Sequence, residues 1–256
     1  MKISVVGAHN TESRNSRYMT LLVDDVLALD AGGLTSSLTF EDQMKLKAVL
    51  ITHQHYDHLR DIPALAMNFF LHSRQIDLYS HPAVFDALTR HLLNGLLYSE
   101  FHKKPEDNPA LRFHVLEPLR EVIIEGFLVK PVPMNHSQPT MGFQLSSPDK
   151  RRIFYTGDTG IGLEDAWPQI DPDLLFIELT APNRWESSMI AHKHLTPSLL
   201  QRELSSFRDL KGYLPRVVAV HMNPNAESEI ANELKPVAET LGIDIRMACE
   251  GMEIEV

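Results

Sequence analysis

"LKAVLITHQHYDHLRDIPALAMNFF", residues 46–70, begins like a buried strand, ends like a helix, and sets four ligand-type side chains between the two. The run "LKAVLITH" is continuously apolar and then turns polar, as a buried strand does. After "DHLRD", the segment "IPALAMNFFLHS" carries Pro63 in a first helical turn and apolar residues at helical spacing. Phe69 and Phe70 are therefore expected in the core rather than as a base-stacking platform. Between strand and helix lie His53, His55, Asp57 and His58, which are poor core material. Residues two apart in an extended segment point to the same side, so His53 and His55 can share one ion. Asp57 and His58, after a turn, can reach a second. Imidazole nitrogen and carboxylate oxygen suit zinc best, with manganese or iron also allowed.

The same placement recurs along the chain. Asp30, Asp158 and His221 follow the β-rich runs "VLALD", "IFYTGD" and "VVAVH", and His136 follows "VKPVPMN". Loops at strand ends along one sheet edge are where binding groups are usually held, so one edge could gather imidazoles and carboxylates together. "KISVVG", "YMTLLVD", "MGFQLSS" and "DLLFIEL" read as further strands, while "TPSLLQRELSSF" and "AESEIANELKPVAETLG" read as amphipathic helices. "PAVFDALTRHLLNGLLYSEF" reads as one or two helices before the polar break "HKKPEDNPA". This pattern points to an α/β protein: two mixed sheets packed face to face with helices outside, as one domain over 1–256 with a helical insertion around 82–110.

Composition sets limits on partners. The 256 residues are 43% apolar, enough for one large core, and the formal net charge of −10 opposes non-specific binding to nucleic acid or anionic membrane. No window approaches the roughly 18 apolar residues of a membrane span. The single cysteine, Cys249, is expected as a small packed residue; it excludes an internal disulfide framework and an all-cysteine metal site, and it fits a cytoplasmic setting.

"THQHYDH", with "LALDAGG" upstream and "NHSQPTMGF", "YTGDT" and "VVAVH" downstream in that order, resembles the metallo-β-lactamase superfamily of binuclear metallohydrolases over nearly the whole chain. The resemblance implies an αββα sandwich with two divalent metal ions at one sheet edge. His53, His55 and His136 would hold one ion, Asp57, His58 and His221 the other, and Asp158 would bridge them. Asp30 would orient the ligand loop, and Asp57 would also count among the catalytic residues. Homodimerisation is implied at the family level.

Since this fold hosts lactams, thioesters, lactones and phosphodiesters, smaller features must choose the substrate. Glycine and an aromatic follow His136 in "NHSQPTMGF", as in tRNA 3′-processing endonucleases and related phosphodiesterases. "LLFIELTAPNRWESSMIAHKHLTPSLLQREL" is similar to class II cyclic-nucleotide phosphodiesterases, by which analogy Glu178 would orient His194 beside the metals. Two cations about 3.5–4 Å apart lower the pKa of a water between them. A carboxylate-held histidine suits donation of a proton to a leaving ribose oxygen. The bland reading of His194 is that it precedes a helix with Thr196 as N-cap and Pro197 at the first position.

The expected function is therefore hydrolysis of a small nucleotide phosphodiester, with a 3′,5′-cyclic nucleotide as one candidate. The alternatives are a tRNA 3′-processing-like endoribonuclease, a hydrolase of esters, lactones or thioesters, or a non-catalytic or redox metal protein. Extended nucleic acid is disfavoured because no basic stripe and no long lysine-rich arm is present. Diiron redox relatives usually carry glutamate where His55 stands. Arg14, Arg17, Arg60 and Arg184 are candidates for phosphate contact or for surface ion pairs, Trp167 and Trp185 are candidates to line a mouth, and His9 reads as a loop histidine.

Overall fold

Apolar side chains alternate along the first strands and so divide between two hydrophobic layers. In a computed structural model describing residues 1–256, Leu21, Leu27, Leu29 and Leu50 point into one cluster while Leu22, Ala28 and Val49 point into another. The chain forms β1 (Lys2–Gly7), β2 (Thr20–Val23), β3 (Leu27–Leu29), β4 (Ala48–Leu50), β5 (Ile76–Ser80) and β6 (Leu111–Val115). A second set follows: β7 (Val122–Ile124), β8 (Phe127–Met134), β9 (Thr140–Ser146), β10 (Arg152–Tyr155), β11 (Leu174–Glu178), β12 (Arg216–Val220) and β13 (Ile245–Met247). The last strand, β14 (Glu253–Glu255), returns to pair antiparallel with β1. The result is two seven-stranded mixed sheets, ordered β14-β1-β2-β3-β4-β5-β6 and β13-β12-β11-β10-β9-β8-β7.

The larger cluster fills the space between the sheets and continues beneath the helices Pro197–Lys211 and Glu227–Leu241 through Leu200, Leu204, Phe207, Ile230 and Leu234. The smaller one lies on the outer face of the first sheet, where Ile62, Leu65, Ala66 and Phe69 of the helix Ile62–Leu71 cover Val49 and Leu78. Burying a side chain such as Phe69 in this way is worth about 1.5–3 kcal/mol. The architecture is the expected αββα sandwich. No helix is long and apolar enough to cross a membrane.

Several expectations are corrected. Phe70, next to buried Phe69, is 37% exposed because it falls on the opposite side of its helix. Trp167 does not line a mouth: it is fully buried, edge-on to Phe207 at 5.2 Å. Cys249 is exposed, since it lies in the turn that feeds β14. Helical structure after Pro82 ends at Leu92, where Asn94 accepts from the Leu96 and Leu97 N–H groups and Gly95 takes φ +79°, a turn that stops the helix. Thr196 occupies the N-cap position of Pro197–Lys211, yet the Ser198 N–H is capped by Asn183 Oδ1 at 2.8 Å.

Strand directions place the site. β3, β4, β5 and β6 run parallel to one another, as do β10, β11, β12 and β13, so each set ends on one edge. β8 joins the second set through two antiparallel steps across β9, and β1 joins the first through β2. The segments leaving β1, β3, β4, β8, β10, β11 and β12 therefore emerge on the edges where crevices outside strand ends take ligands.

Candidate metal centre

Two groups of ligating atoms converge at this edge. The first comprises His53, His55, His136 and Asp158, the second Asp57, His58 and His221. His53 Nε2 lies 2.9 Å from His55 Nδ1, which is 3.2 Å from His136 Nε2, and Asp158 Oδ2 stands 3.6 Å from His53 Nε2 and 3.8 Å from His136 Nε2. In the second group His221 Nε2 is 3.1 Å and His58 Nε2 3.5 Å from Asp57 Oδ2. Asp158 Oδ1 turns to this side, 3.2 Å from His58 Nε2 and 3.4 Å from His221 Nε2. Asp158 thus presents one oxygen to each group. Tetrahedral bonds of about 2.0–2.1 Å would separate ligand atoms by about 3.4 Å, which falls inside the spread found here.

The donor set fits divalent cations on a second ground. His58 Nε2 and Asp158 Oδ1 are buried 3.2 Å apart with no well-formed hydrogen bond to either, an arrangement a bound cation would complete. Electrostatics agrees with this arrangement. Burial, aided by the His58 imidazole, holds His53 well below the ordinary imidazole range, and burial also lowers His55 and His136. All three are then neutral donors at pH 7. Burial opposes charge on His58 too, but Asp158, Asp57 and Asp30 outweigh it and push this imidazole well above its usual range. Burial would raise Asp158, yet His221 and His58 hold it well below the usual carboxylate range.

Two buried carboxylates fix these side chains from behind, each through a threonine. Asp30 Oδ2 accepts from His58 Nδ1 and from the Tyr155 hydroxyl, both at 2.7 Å, while Asp30 Oδ1 accepts from the Thr52 N–H at 2.8 Å. The Thr52 hydroxyl donates to Asp30 and accepts from His53 Nδ1 at 3.0 Å. Glu178 repeats the pattern. Its Oε1 accepts from His194 Nδ1 at 2.7 Å, its Oε2 accepts from the Thr180 hydroxyl at 3.0 Å, and that hydroxyl accepts from His221 Nδ1 at 2.9 Å. Three main-chain N–H groups, from Thr159, Thr180 and Leu195, also donate to Glu178. His136 is held differently, by the Lys193 carbonyl 3.1 Å from Nδ1. Lys193 caps the helix Glu186–His192 in the left-handed region, which aims that carbonyl at His136.

His194 lies against both groups. Its ring stacks on His221 with centroids 5.5 Å apart and meets His136 edge-on at 5.0 Å, and its ligating atom is within 4.8 Å of those of Asp158 and His221. Burial disfavours its charge, but the Glu178 carboxylate more than compensates and raises it to about 9. His53 and His58 are sealed off, whereas the Asp57 and His194 side chains are 21% and 17% exposed, so these two line the open side.

Glycines permit the close approaches. A Cβ on Gly32 would stand 2.0 Å from the Asp57 carbonyl oxygen, and one on Gly157, at φ +59°, would stand 2.7 Å from Thr52 Cγ2. Residues 52–61 are thereby seated on the "DAGG" turn, where the Ala31 N–H donates to the His58 carbonyl.

The residues expected at the site, His53, His55, Asp57, His58, His136, Asp158, Glu178, His194 and His221, come together here. Three of the four candidate arginines have other partners. Arg60 pairs with Glu12 and Asp61, Arg184 pairs with Glu229 and stacks on Trp185, and Arg17 donates to main-chain carbonyls. Thr52, Thr180, Tyr155 and Lys193 were not anticipated. The two threonines leave only a faint trace in the sequence, one directly before His53 and the other two places after Glu178.

Residues 21–236 match the family description "Beta-lactamase superfamily domain". The chain belongs to the beta-lactamase superfamily. Among solved structures of this fold, it resembles unliganded yeast PDE1 with a TM-score of 0.83 and 17% identity, covering 100% of this chain and 99% of that one. It resembles the metallo-beta-lactamase fold protein YhfI from Bacillus subtilis at 0.78 and 17%, and short-form human tRNase Z at 0.71 and 19%, each with coverage of 100% and 99%. At these identities the likeness speaks for the superfamily fold alone. No curated protein matches.

Proposed function

We propose that the protein is a binuclear metal-dependent phosphodiesterase acting on a small nucleotide, with a 3′,5′-cyclic nucleotide as its preferred substrate. The observation that carries this reading is the Glu178–His194 pair on the open side of the ligand groups. Zinc is the proposed metal, because the donors are imidazole and carboxylate without thiolate. When bound, two such cations lower the pKa of water and draw off charge from the phosphoryl oxygens.

The side chains supply the rest. Asp158 sets the spacing of the two groups by offering one oxygen to each. Asp30 and Thr52 keep Nε2 of His53 and His58 aimed inward by engaging Nδ1 of each ring. His194 donates Nδ1–H to Glu178, leaving Nε2 to carry a proton towards the site. As the P–O bond to the leaving ribose oxygen breaks, that proton passes to the oxygen and spares an alkoxide. The net charge of −10 and the paired arginines favour a small substrate over extended nucleic acid, and they fit work in the cytoplasm on free nucleotides.

Turnover of 3′,5′-cyclic AMP, bis(p-nitrophenyl) phosphate and a precursor tRNA by the zinc-loaded chain tests the reading. Preference for the cyclic nucleotide supports it. Cleavage of the precursor tRNA in its place assigns the endoribonuclease reading, and turnover of none of the three contradicts both.

A further inference from the structure

His9 was expected as an ordinary loop histidine, yet it is 3% exposed and holds a carboxylate at each ring nitrogen. Nδ1 donates to Glu250 Oε1 at 2.7 Å and Nε2 donates to Glu227 Oε1 at 2.8 Å. The two nitrogens face opposite ways, so the cluster does not converge on a cation and acts instead as a clamp. Burial works against a charge on this ring, and the hydrogen bonds to Glu250 and Glu227 overcome it, which leaves both nitrogens able to donate.

The clamp closes on the segment after β12. The Met222 N–H donates to the Ala8 carbonyl and the Asn10 N–H donates to the Met222 carbonyl, both at 3.2 Å, so the main chain around residue 9 grips the residue next to His221. The far end of the same segment is Glu227, the first residue of Glu227–Leu241. Glu250 Oε1 also accepts from the Arg17 N–H at 2.7 Å, anchoring His9 to the 12–17 loop and the C-terminal turn. Directly before the first of these anchors, at the end of β12, His221 adopts φ +64°, a left-handed conformation that a non-glycine residue keeps only when its surroundings impose it.

From this geometry we infer that His9 is a positioning residue for His221, holding its strained main chain so that Nε2 meets Asp57 and Asp158. The inference rests on the reading that Asp57, His58, His221 and Asp158 hold a metal ion.

Zinc titration of the metal-freed full chain, followed by calorimetry and repeated with Co²⁺ for its absorption spectrum, tests it in wild type, His9→Gln and Glu227→Gln. In both variants one of the two binding events should weaken by about 10- to 100-fold, the range for residues that orient ligands, while the other keeps wild-type affinity. The Co²⁺ spectrum should lose the contribution of one site only. Unchanged affinities, or both events weakening together, would overturn the inference and leave His9 a general staple of the fold. If His9→Gln does not fold, Glu227→Gln, which keeps the His9 ring and its bond to Glu250, decides the matter alone. Wild type binding fewer than two zinc ions would overturn the underlying metal reading instead, and that result appears before any variant is made.

Discussion

Replacing Glu178 by glutamine separates the electrostatic role of this carboxylate from its role as a hydrogen-bond acceptor. In the metal-free chain the imidazole of His194 is raised from 6.5 to about 9 by Glu178, against burial. At about 1.4 kcal/mol for each tenfold change, this is roughly 3 kcal/mol of preference for the charged ring in the folded state. Because the folded value lies above the unfolded one, the stabilisation is complete below about pH 6.5, declines above it, and is gone once pH has passed about 9. Glutamine removes the charge, and burial then pulls His194 below 6.5. The lost main-chain bonds to Glu178 add a cost that does not vary with pH over this range. Urea unfolding of the metal-free proteins should therefore show Glu178→Gln more damaging at pH 6 than at pH 10, by about 3 kcal/mol. Imidazole NMR titration should follow His194 directly in both. Titration of wild-type His194 near 6.5, or a variant deficit independent of pH, would show that Glu178 does not hold His194 in its charged form.

Three further outcomes follow from the same geometry. Thr180→Val cuts the link from Glu178 to His221 and should weaken zinc binding about 10- to 100-fold while urea unfolding of the metal-free chain changes by less than about 1.5 kcal/mol. Asp30→Asn strips a fully buried acceptor of Thr52, His58 and Tyr155, so unfolding experiments should record a loss of about 3–5 kcal/mol. Chelation should lower the thermal midpoint, since free metal at about 100 times its dissociation constant contributes about 2.7 kcal/mol; calorimetry with and without EDTA reads the difference.

The residues legible in the sequence are those whose chemistry is out of place. Four ligand-type side chains packed into "HQHYDH" declare themselves, and Asp30, His136, Asp158 and His221 stand out because each ends an apolar run. Thr52 and Thr180 do not, because threonine is ordinary strand material and only the carboxylate it meets in space gives its hydroxyl a task. β13 and β14 also escaped notice: three residues each, they exist because β12 and β1 offer them edges to pair with. Trp167 reads as a mouth residue in the sequence for a related reason. Its short 3-10 turn reads locally as a loop, and Phe207, forty positions further on in the helix Pro197–Lys211, is what buries it. His9 looked ordinary because its partners Glu227 and Glu250 lie at the other end of the chain.

In the proposed function, Asp158 joins two metal sites that together support phosphodiester hydrolysis. Elemental analysis coupled to hydrolysis of bis(p-nitrophenyl) phosphate, on wild type and Asp158→Ala, addresses it most directly. About two zinc ions per wild-type chain with measurable turnover are expected, and loss of both metal and activity in the variant. A wild-type chain that binds no metal, or a variant that keeps two ions and full activity, would contradict it.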